Sequence, residues 1–325
     1  MTTYKEISGK YVRSVSSDPP AALGTGEIWY NTSSNTFKTV GQVFSWSSGA
    51  NLPAVRWNTS GAGTQTAGLV FGGSTGPSLG SFINTTFKYN GSAWTSAPTT
   101  PISSINMFSA GTQTAAIGGG GLASSGSNSN AAFTFNGSSW SSITNTPFST
   151  KGAGGAGTST AALVYGSDIP PSDNKAAKSW NGSSWSSEGD LSSRFANGAS
   201  GGPTENSAFA AGSYDDTTST KFETYNGTAW SAGPVLNTAV IQNRGFGSST
   251  DCVSIGGYNR ITGVERFDGS SWSVADSLST GRKQFASANN NAGGVSNGWV
   301  GGGADGDDSV EEFSGVATVQ TVSSS

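Results

Sequence analysis

The chain contains no histidine and only one cysteine among 325 residues. Without histidine there is no ordinary general base near neutral pH, no Ser-His-Asp or Cys-His arrangement and no imidazole metal ligand. A lone thiol forms no intramolecular disulfide framework and holds no structural zinc by itself. Cys252 lies in the apolar stretch Asp251-Cys252-Val253-Ser254-Ile255, where a buried, inert thiol is expected. Charge is scarce as well, at 11% of residues, and the net formal charge is −4. With no Lys/Arg run, the sequence has no electrostatic footprint for nucleic acid or anionic lipid, and neither is expected as a partner. No apolar stretch is long enough for a membrane span, and the polar opening Met1-Thr2-Thr3-Tyr4-Lys5-Glu6 is unlike a signal peptide. Synthesis in the cytosol is the expectation.

Glycine, by contrast, is abundant at 48 residues, and aromatics make up 10%. The two combine in a recurring stretch, Phe87-Lys88-Tyr89-Asn90-Gly91-Ser92-Ala93-Trp94. Near copies are Phe135-Asn136-Gly137 with Trp140, Trp180-Asn181-Gly182 with Trp185, Tyr225-Asn226-Gly227 with Trp230, and Phe267-Asp268-Gly269 with Trp272. A looser copy, Val40-Gly41 with Trp46, precedes them, and a Trp-less copy, Phe313-Ser314-Gly315, follows. Asn-Gly and Asp-Gly supply the positive φ angles of a type I′ turn, so each copy reads as a β-hairpin with its aromatic and Trp on facing strands. The turn glycines fall at 41, 91, 137, 182, 227, 269 and 315, with spacings of 50, 46, 45, 45, 42 and 46 residues. That spacing marks an internal repeat.

Each full unit opens with a strand of small residues and an apolar strand ending in glycine, as in Gly61 to Gly73. A loop of variable length follows, then the aromatic strand, the turn and the Trp strand. No helix-period stretch interrupts this pattern. Four short strands per repeat is the arithmetic of a β-propeller blade, and stacked blades would bury Trp46, Trp94, Trp140, Trp185, Trp230 and Trp272 between sheets. Small first strands suit crowding at the axis. Seven turn glycines predict an all-β propeller of seven blades over residues 27–325; the alternative is six blades plus an N-terminal β-module. Residues 1–26 fall outside the repeat and read as an extension that docks on another protein. For the fourth strand of the first blade, either 11–15 or 316–322 is available.

The apolar strand ending in Gly-Gly, the downstream aromatic and the Trp about six residues later resemble the kelch motif over residues 27 to 320. The single glycines at Gly166 and Gly212 depart from it. Tyr4-Lys5-Glu6-Ile7, Gly26-Glu27-Ile28-Trp29-Tyr30-Asn31-Thr32 and the recurrent Ala62-Gly63-Thr64-Gln65-Thr66-Ala67 are similar to a narrower group, the kelch-like virion proteins of tailed bacteriophages common among marine phages. This resemblance implies a virion location of tail or tail-fibre type, other virion proteins or further copies of the chain as partners, and assembly contacts or host attachment as the role.

Enzyme activity is not expected. Kelch-like copper oxidases need the missing histidines. A glycan hydrolase would need a distinguished carboxylate pair, and neither that pair nor the repeated Ser-x-Asp-x-Gly-x-Thr-Trp box of sialidases is found. The run Asp305-Gly306-Asp307-Asp308-Ser309-Val310-Glu311-Glu312 lacks the spacing of a calcium loop and reads as a solvated turn, so no metal or cofactor is expected. Gly118 to Gly121 and Gly301 to Gly303 read as strand ends, since no helix follows to make a phosphate cradle. Arg56, Arg194 and Arg282 recur after Trp strands and are expected to brace the scaffold. The Asn-x-Ser/Thr matches at Asn90, Asn136, Asn181 and Asn226 read as turns, not as glycan acceptors. The loops 74–84, 122–130, 167–175 and 213–219 vary while the strands around them repeat. That contrast makes Asp168, Pro170 and Pro171, and Tyr214, Asp215 and Asp216, the candidate contacts for a glycan or a neighbouring subunit.

Overall fold

The computed structural model describes residues 12–19, 27–76, 81–169, 175–212, 218–288, 294–303 and 306–322. The fold is all-β, with no α-helix among these residues. The chain divides into two compact units, one of residues 1–45 with 315–325 and one of residues 46–314. Of the expected docking extension, 1–11 and 20–26 lie outside the described residues.

The larger unit is a six-bladed β-propeller. Blade I consists of Ser60–Thr64, Ala67–Phe71, Thr86–Tyr89 and Trp94–Ala97. Blade II is Phe108–Thr112, Ala115–Gly119, Ala132–Phe135 and Trp140–Ile143, and blade III is Gly154–Thr158, Ala161–Tyr165, Ala177–Trp180 and Trp185–Ser187. Blade IV is Ala199–Gly201, Phe209–Ala211, Phe222–Tyr225 and Trp230–Ala232, and blade V is Arg244–Gly247, Cys252–Ile255, Val264–Phe267 and Trp272–Val274. In each of these five blades the strands are antiparallel and in sequence order. First strands adjoin one another around the axis, from blade I to blade VI and back to blade I. Crowding there explains their small residues: a Cβ on Gly61 would lie 2.5 Å from the Ser287 carbonyl oxygen of blade VI.

Blade VI corrects the expected count of seven. It joins Ala286–Ser287, Asn297–Gly303 and the first part of Asp307–Thr321 to the last residues of Thr36–Ser48. Gly41 and Gly315, counted as turns, sit inside these two long strands and have no positive φ. The looser first copy and the Trp-less last copy are therefore two halves of one blade: Trp46 packs 4.8 Å from Phe313. Gly49 N–H donates to Val310 O at 2.9 Å and Leu52 N–H to Asp308 O at 2.7 Å. The N-terminal side of the propeller thus supplies the outer strand, and neither 11–15 nor 316–322 does. This is the six-blade alternative.

Each Trp packs on its own blade's aromatic and on one from the preceding blade. Trp140 lies 4.9 Å from Phe135 and 4.9 Å from Phe71 of blade I; Trp230 lies 5.3 Å from Tyr225 and 4.7 Å from Tyr165 of blade III. Trp94 pairs with Tyr89 and Trp299, Trp185 with Trp180 and Phe108, Trp272 with Phe267 and Phe222, and Trp46 with Phe313 and Phe246. The indole N–H groups of Trp46, Trp94, Trp185 and Trp272 donate to the carbonyls of Asp276, Ala50, Thr144 and Pro234 at 2.8–3.0 Å. Each of those carbonyls lies four residues beyond the preceding blade's Trp. Aromatic stacking and this bond together fix the blade-to-blade angle.

The hairpins are four-residue loops, not two-residue type I′ turns. Tyr89 pairs directly with Trp94, and of Asn90 and Gly91 only Gly91 takes a positive φ, of 92°. Asn90 Oδ1 accepts the N–H groups of Ser92 and Ala93 at 3.0 and 2.9 Å, which explains the Asn by an Asx turn. Asn136, Asn181, Asn226 and Asp268 do the same in their blades.

In the smaller unit Arg13–Val15 runs parallel to Ile28–Asn31, which pairs antiparallel with Thr36–Ser48. Asp18 accepts from Asn31 Nδ2 at 2.6 Å and Trp29 Nε1 at 3.0 Å, and these bonds lower its pKa. At the other end of the sheet Val322 N–H donates to Phe37 O at 2.9 Å. The segments from the two chain ends meet in this unit.

Candidate functional site

Because the strands of a blade alternate in direction, the linkers entering first strands and the loops between second and third strands share one rim. The Asn-Gly turns occupy the other. Asp168 is on the loop rim: its carboxylate pairs with Lys151 Nζ at 2.9 Å and accepts from Asn197 Nδ2 at 3.4 Å. These bonds join the loop of blade III to the linkers entering blades III and IV. Pro170, Pro171, Tyr214, Asp215 and Asp216 lie outside the described residues. The loop 122–130 of blade II is held in place: Leu122–Ala123 pairs with Ser104–Ile105, and Ser129 N–H donates to Gly121 O at 2.8 Å.

Under this rim the linkers form a hub that the sequence did not advertise. Two residues before each first strand the chain turns left-handed, at Asn58, Asn106, Gly152, Asn197, Gln242 and Gln284, with φ between 49° and 65°. Asn tolerates this conformation better than most residues, and Gln has no such advantage. Four of the six hub residues are bonded laterally to the one before: Asn58 N–H to Gln284 O at 2.8 Å, Asn106 to Asn58 at 3.0 Å, Gly152 to Asn106 at 2.9 Å, and Asn197 to Gly152 at 2.8 Å.

At the hub lies an axial cavity lined by all six blades, with room of about 30 Å³. Ser60, Ser109, Ser200, Ser287 and Thr59 make its wall polar, and Arg244 is the one charged residue in the lining. Desolvation lowers the pKa of Arg244 to about 10. A shortage of charge elsewhere in the sequence was visible; the isolation of this one guanidinium was not, because it depends on how the ring brings six strands together.

Two of the three expected bracing arginines are seen in full. Arg56 donates to Gly72 O at 2.9 Å, Thr85 O at 3.0 Å and Thr85 Oγ1 at 2.7 Å, and its guanidinium lies 4.3 Å from the centre of the Phe87 ring. Arg282 makes the matching bonds in blade VI, to Gly302 O and Ser309 O at 2.9 Å, with Asp307 and Glu311 as ion partners at 2.9 and 3.2 Å. Phe87 and Glu311 occupy the same position of their blades, so one cation meets a ring and the other a carboxylate. Burial lowers the pKa of Arg56 to about 10. Arg194 lies in the linker whose Ser192 and Ser193 N–H groups donate to Glu223, both at 2.8 Å. Glu265 holds Asn237 and Thr238 in the same way.

The acidic run is not the solvated turn expected of it. Glu311 is buried and accepts Ser279 N–H at 2.7 Å, while Glu312 accepts Tyr89 Oη at 2.7 Å and Gln65 Nε2 at 2.9 Å. Asp307 binds Arg282, and Asp308 accepts from Asn51 at 3.2 Å. These carboxylates are taken up by protein donors, which is a structural use the sequence reading did not foresee. Among the described residues no group of three or more His, Cys, Asp or Glu gathers to hold a metal. Cys252 is fully buried, and desolvation pushes its pKa up.

A second recess opens between blades III and IV on the side of the Asn-Gly turns. It has room of about 320 Å³ and is lined by Trp180, Asn181, Glu188, Glu205, Asn206 and Tyr225, among others. Glu188 accepts from Ser179 Oγ at 2.6 Å and Tyr225 Oη at 3.1 Å; desolvation and the Glu188 charge raise the Tyr225 pKa to about 12. At two other junctions a turn glutamine reaches across: Gln65 Nε2 donates to Glu312 at 2.9 Å, and Gln113 Nε2 to Gly68 O at 2.8 Å and Tyr89 O at 2.6 Å. Blade IV has a longer first turn, Gly202 to Ala208, without that glutamine.

No protein-family model and no curated protein matches the chain.

Proposed function

We propose that this chain is a non-enzymatic component of a tailed-phage virion, of tail or tail-fibre type, in which the propeller is a rigid carrier and the unit built from the chain ends is the docking piece. One observation carries the docking assignment. Of the eight large hydrophobic side chains exposed among the described residues, Val12, Ile28, Val43, Val316 and Val322 belong to the small unit. Exposed apolar side chains concentrated in one small unit favour burial against a protein partner. The virion setting rests on the sequence resemblance, and the absence of histidine supports a binding role over catalysis.

The test is particle incorporation. Phage particles made with a chain lacking residues 1–45 are expected to lose the protein, as judged by mass spectrometry of purified virions. Normal incorporation of the truncated chain would remove the docking assignment, and absence of the full chain from particles would remove the virion reading.

A second reading, a carbohydrate-binding adhesin or receptor-binding tip, is favoured by the recess between blades III and IV, where carboxylates, two amides and aromatic side chains line a space of sugar size. Glycan-array and whole-cell binding by the purified protein decides between the two. Specific binding lost on scrambling the rim loops or on Glu188→Ala would assign recognition; no binding by the folded protein would leave the architectural role.

A further inference from the structure

Arg244 is the exception among residues at its position. The residues two places after the hub in the other blades are Ser60, Phe108, Gly154, Ala199 and Ala286, none of them charged. Its guanidinium lines the axial cavity, where Nη1 donates to Asn243 O at 3.1 Å. It has no ion pair among the described residues. A guanidinium carries five N–H donors and does not give up its charge under physiological conditions, and among the described residues one donor of Arg244 meets a protein acceptor. Arg244 is half-buried in the cavity wall, and a charge partly withdrawn from bulk water is favoured by an opposite one beside it.

The rest of the wall does not supply that opposite charge. Ser60 Oγ donates to Met107 O, Ser109 Oγ to Gly61 O and Ser287 Oγ to Gly245 O, at 2.8–3.1 Å. Their protons are committed to backbone carbonyls of neighbouring blades, and the Ser60 and Ser287 oxygens can receive hydrogen bonds from water. The room of about 30 Å³ suits a small ion with a water beside it, and excludes a sugar or a nucleotide.

We propose that the axial cavity binds one small monovalent anion, of chloride or simple carboxylate size, with Arg244 as its partner. The anion completes the charge balance where six first strands converge, and it ties blade V to the hub. Water then bridges the anion to the serine oxygens. Because the folded ring holds the site and the unfolded chain does not, the anion stabilises the protein by mass action.

The experiment is denaturation of the full chain in sodium chloride, sodium acetate and sodium gluconate at equal ionic strength. Gluconate is too large for the cavity and serves as baseline. At a chloride concentration about ten times Kd the folding equilibrium is expected to shift about tenfold towards the native state relative to gluconate. A matching gain in acetate would extend the site to carboxylates, and chloride alone would restrict it to halides. In Arg244→Gln the salts are expected to act alike. A wild-type protein equally stable in all three salts, or an Arg244→Gln variant that keeps the chloride effect, would overturn the proposal. If that variant does not fold, wild-type crystals soaked in bromide decide: an anomalous peak within hydrogen-bond reach of Arg244 is expected, and a cavity holding water alone at saturating bromide overturns it.

Discussion

Trp140 shows what one side chain does in this architecture. It touches Phe133 and Phe135 of its own blade and Phe71 of the blade before, and its Nε1 donates to Thr86 Oγ1 at 3.1 Å. Trp140→Ala should therefore open a gap between sheets, at a cost of ~3–5 kcal/mol. The urea midpoint measures this, and an unchanged midpoint would show that the indole is not part of the inter-blade core. Asp268 offers a different residue-level test, since it is the one acid at a position that is otherwise Asn. Backbone N–H groups of Ser271 and Ser270 hold its carboxylate ionised and lower its pKa to about 2, from 3.8. A depressed native pKa gives stability that is complete above the unfolded value and disappears as pH falls through the native one. Asp268→Asn should remove this part of the acid sensitivity between about pH 4 and about pH 2. Parallel pH–stability curves for the two proteins over that window would rule the linkage out.

At the scale of elements, the hairpins were legible and the hub was not. An aromatic, Asn-Gly and Trp at fixed spacing form a local signal, because the turn, its Asx bonds and the facing aromatic pair all lie within eight residues. The turn type was misread: Asn in a turn has two uses, a left-handed backbone or a side-chain acceptor, and the sequence does not distinguish them. A hub residue leaves one weak mark, a polar residue ahead of a small strand, and its left-handed turn, bonded to the preceding hub residue at Asn58, Asn106, Gly152 and Asn197, belongs to the way the blades meet. Gln242 is the telling case. It is held at φ 59°, its Oε1 is buried without a partner, and blade III uses glycine at the same place. Gln242→Gly is expected to stabilise the protein by ~1 kcal/mol, since glycine takes this conformation without the steric cost. A lowered thermal midpoint would instead mean that the Gln side chain supports the hub. The candidate site follows the same division: unequal loops are visible as sequence, whereas Arg244 and the recess beside Glu188 exist only once blades are placed side by side.

For the molecule as a whole, the blade count depended on a pairing between distant parts of the chain. Local signals counted Gly41 and Gly315 as two turns, and only the ring shows that Trp46 and Phe313 complete one blade. The division into compact units makes this testable. A chain of residues 46–314 should unfold in one cooperative transition. Starting the chain at Ala50 removes Trp46 with its bond to Asp276 O and should cost a further ~3–5 kcal/mol. Equal denaturant midpoints for the two chains would show that the outer strand of blade VI does not close the ring.

That closure also sets a timetable. During synthesis Trp46 leaves the ribosome before blades I to V, and the strand bearing Phe313 leaves only after them. Until then the nascent chain carries a bare indole and an unpaired edge, the kind of surface that chaperones hold and that sticks to other chains. A chain cut short before Phe313 leaves Trp46 without the ring that covers it in the folded blade.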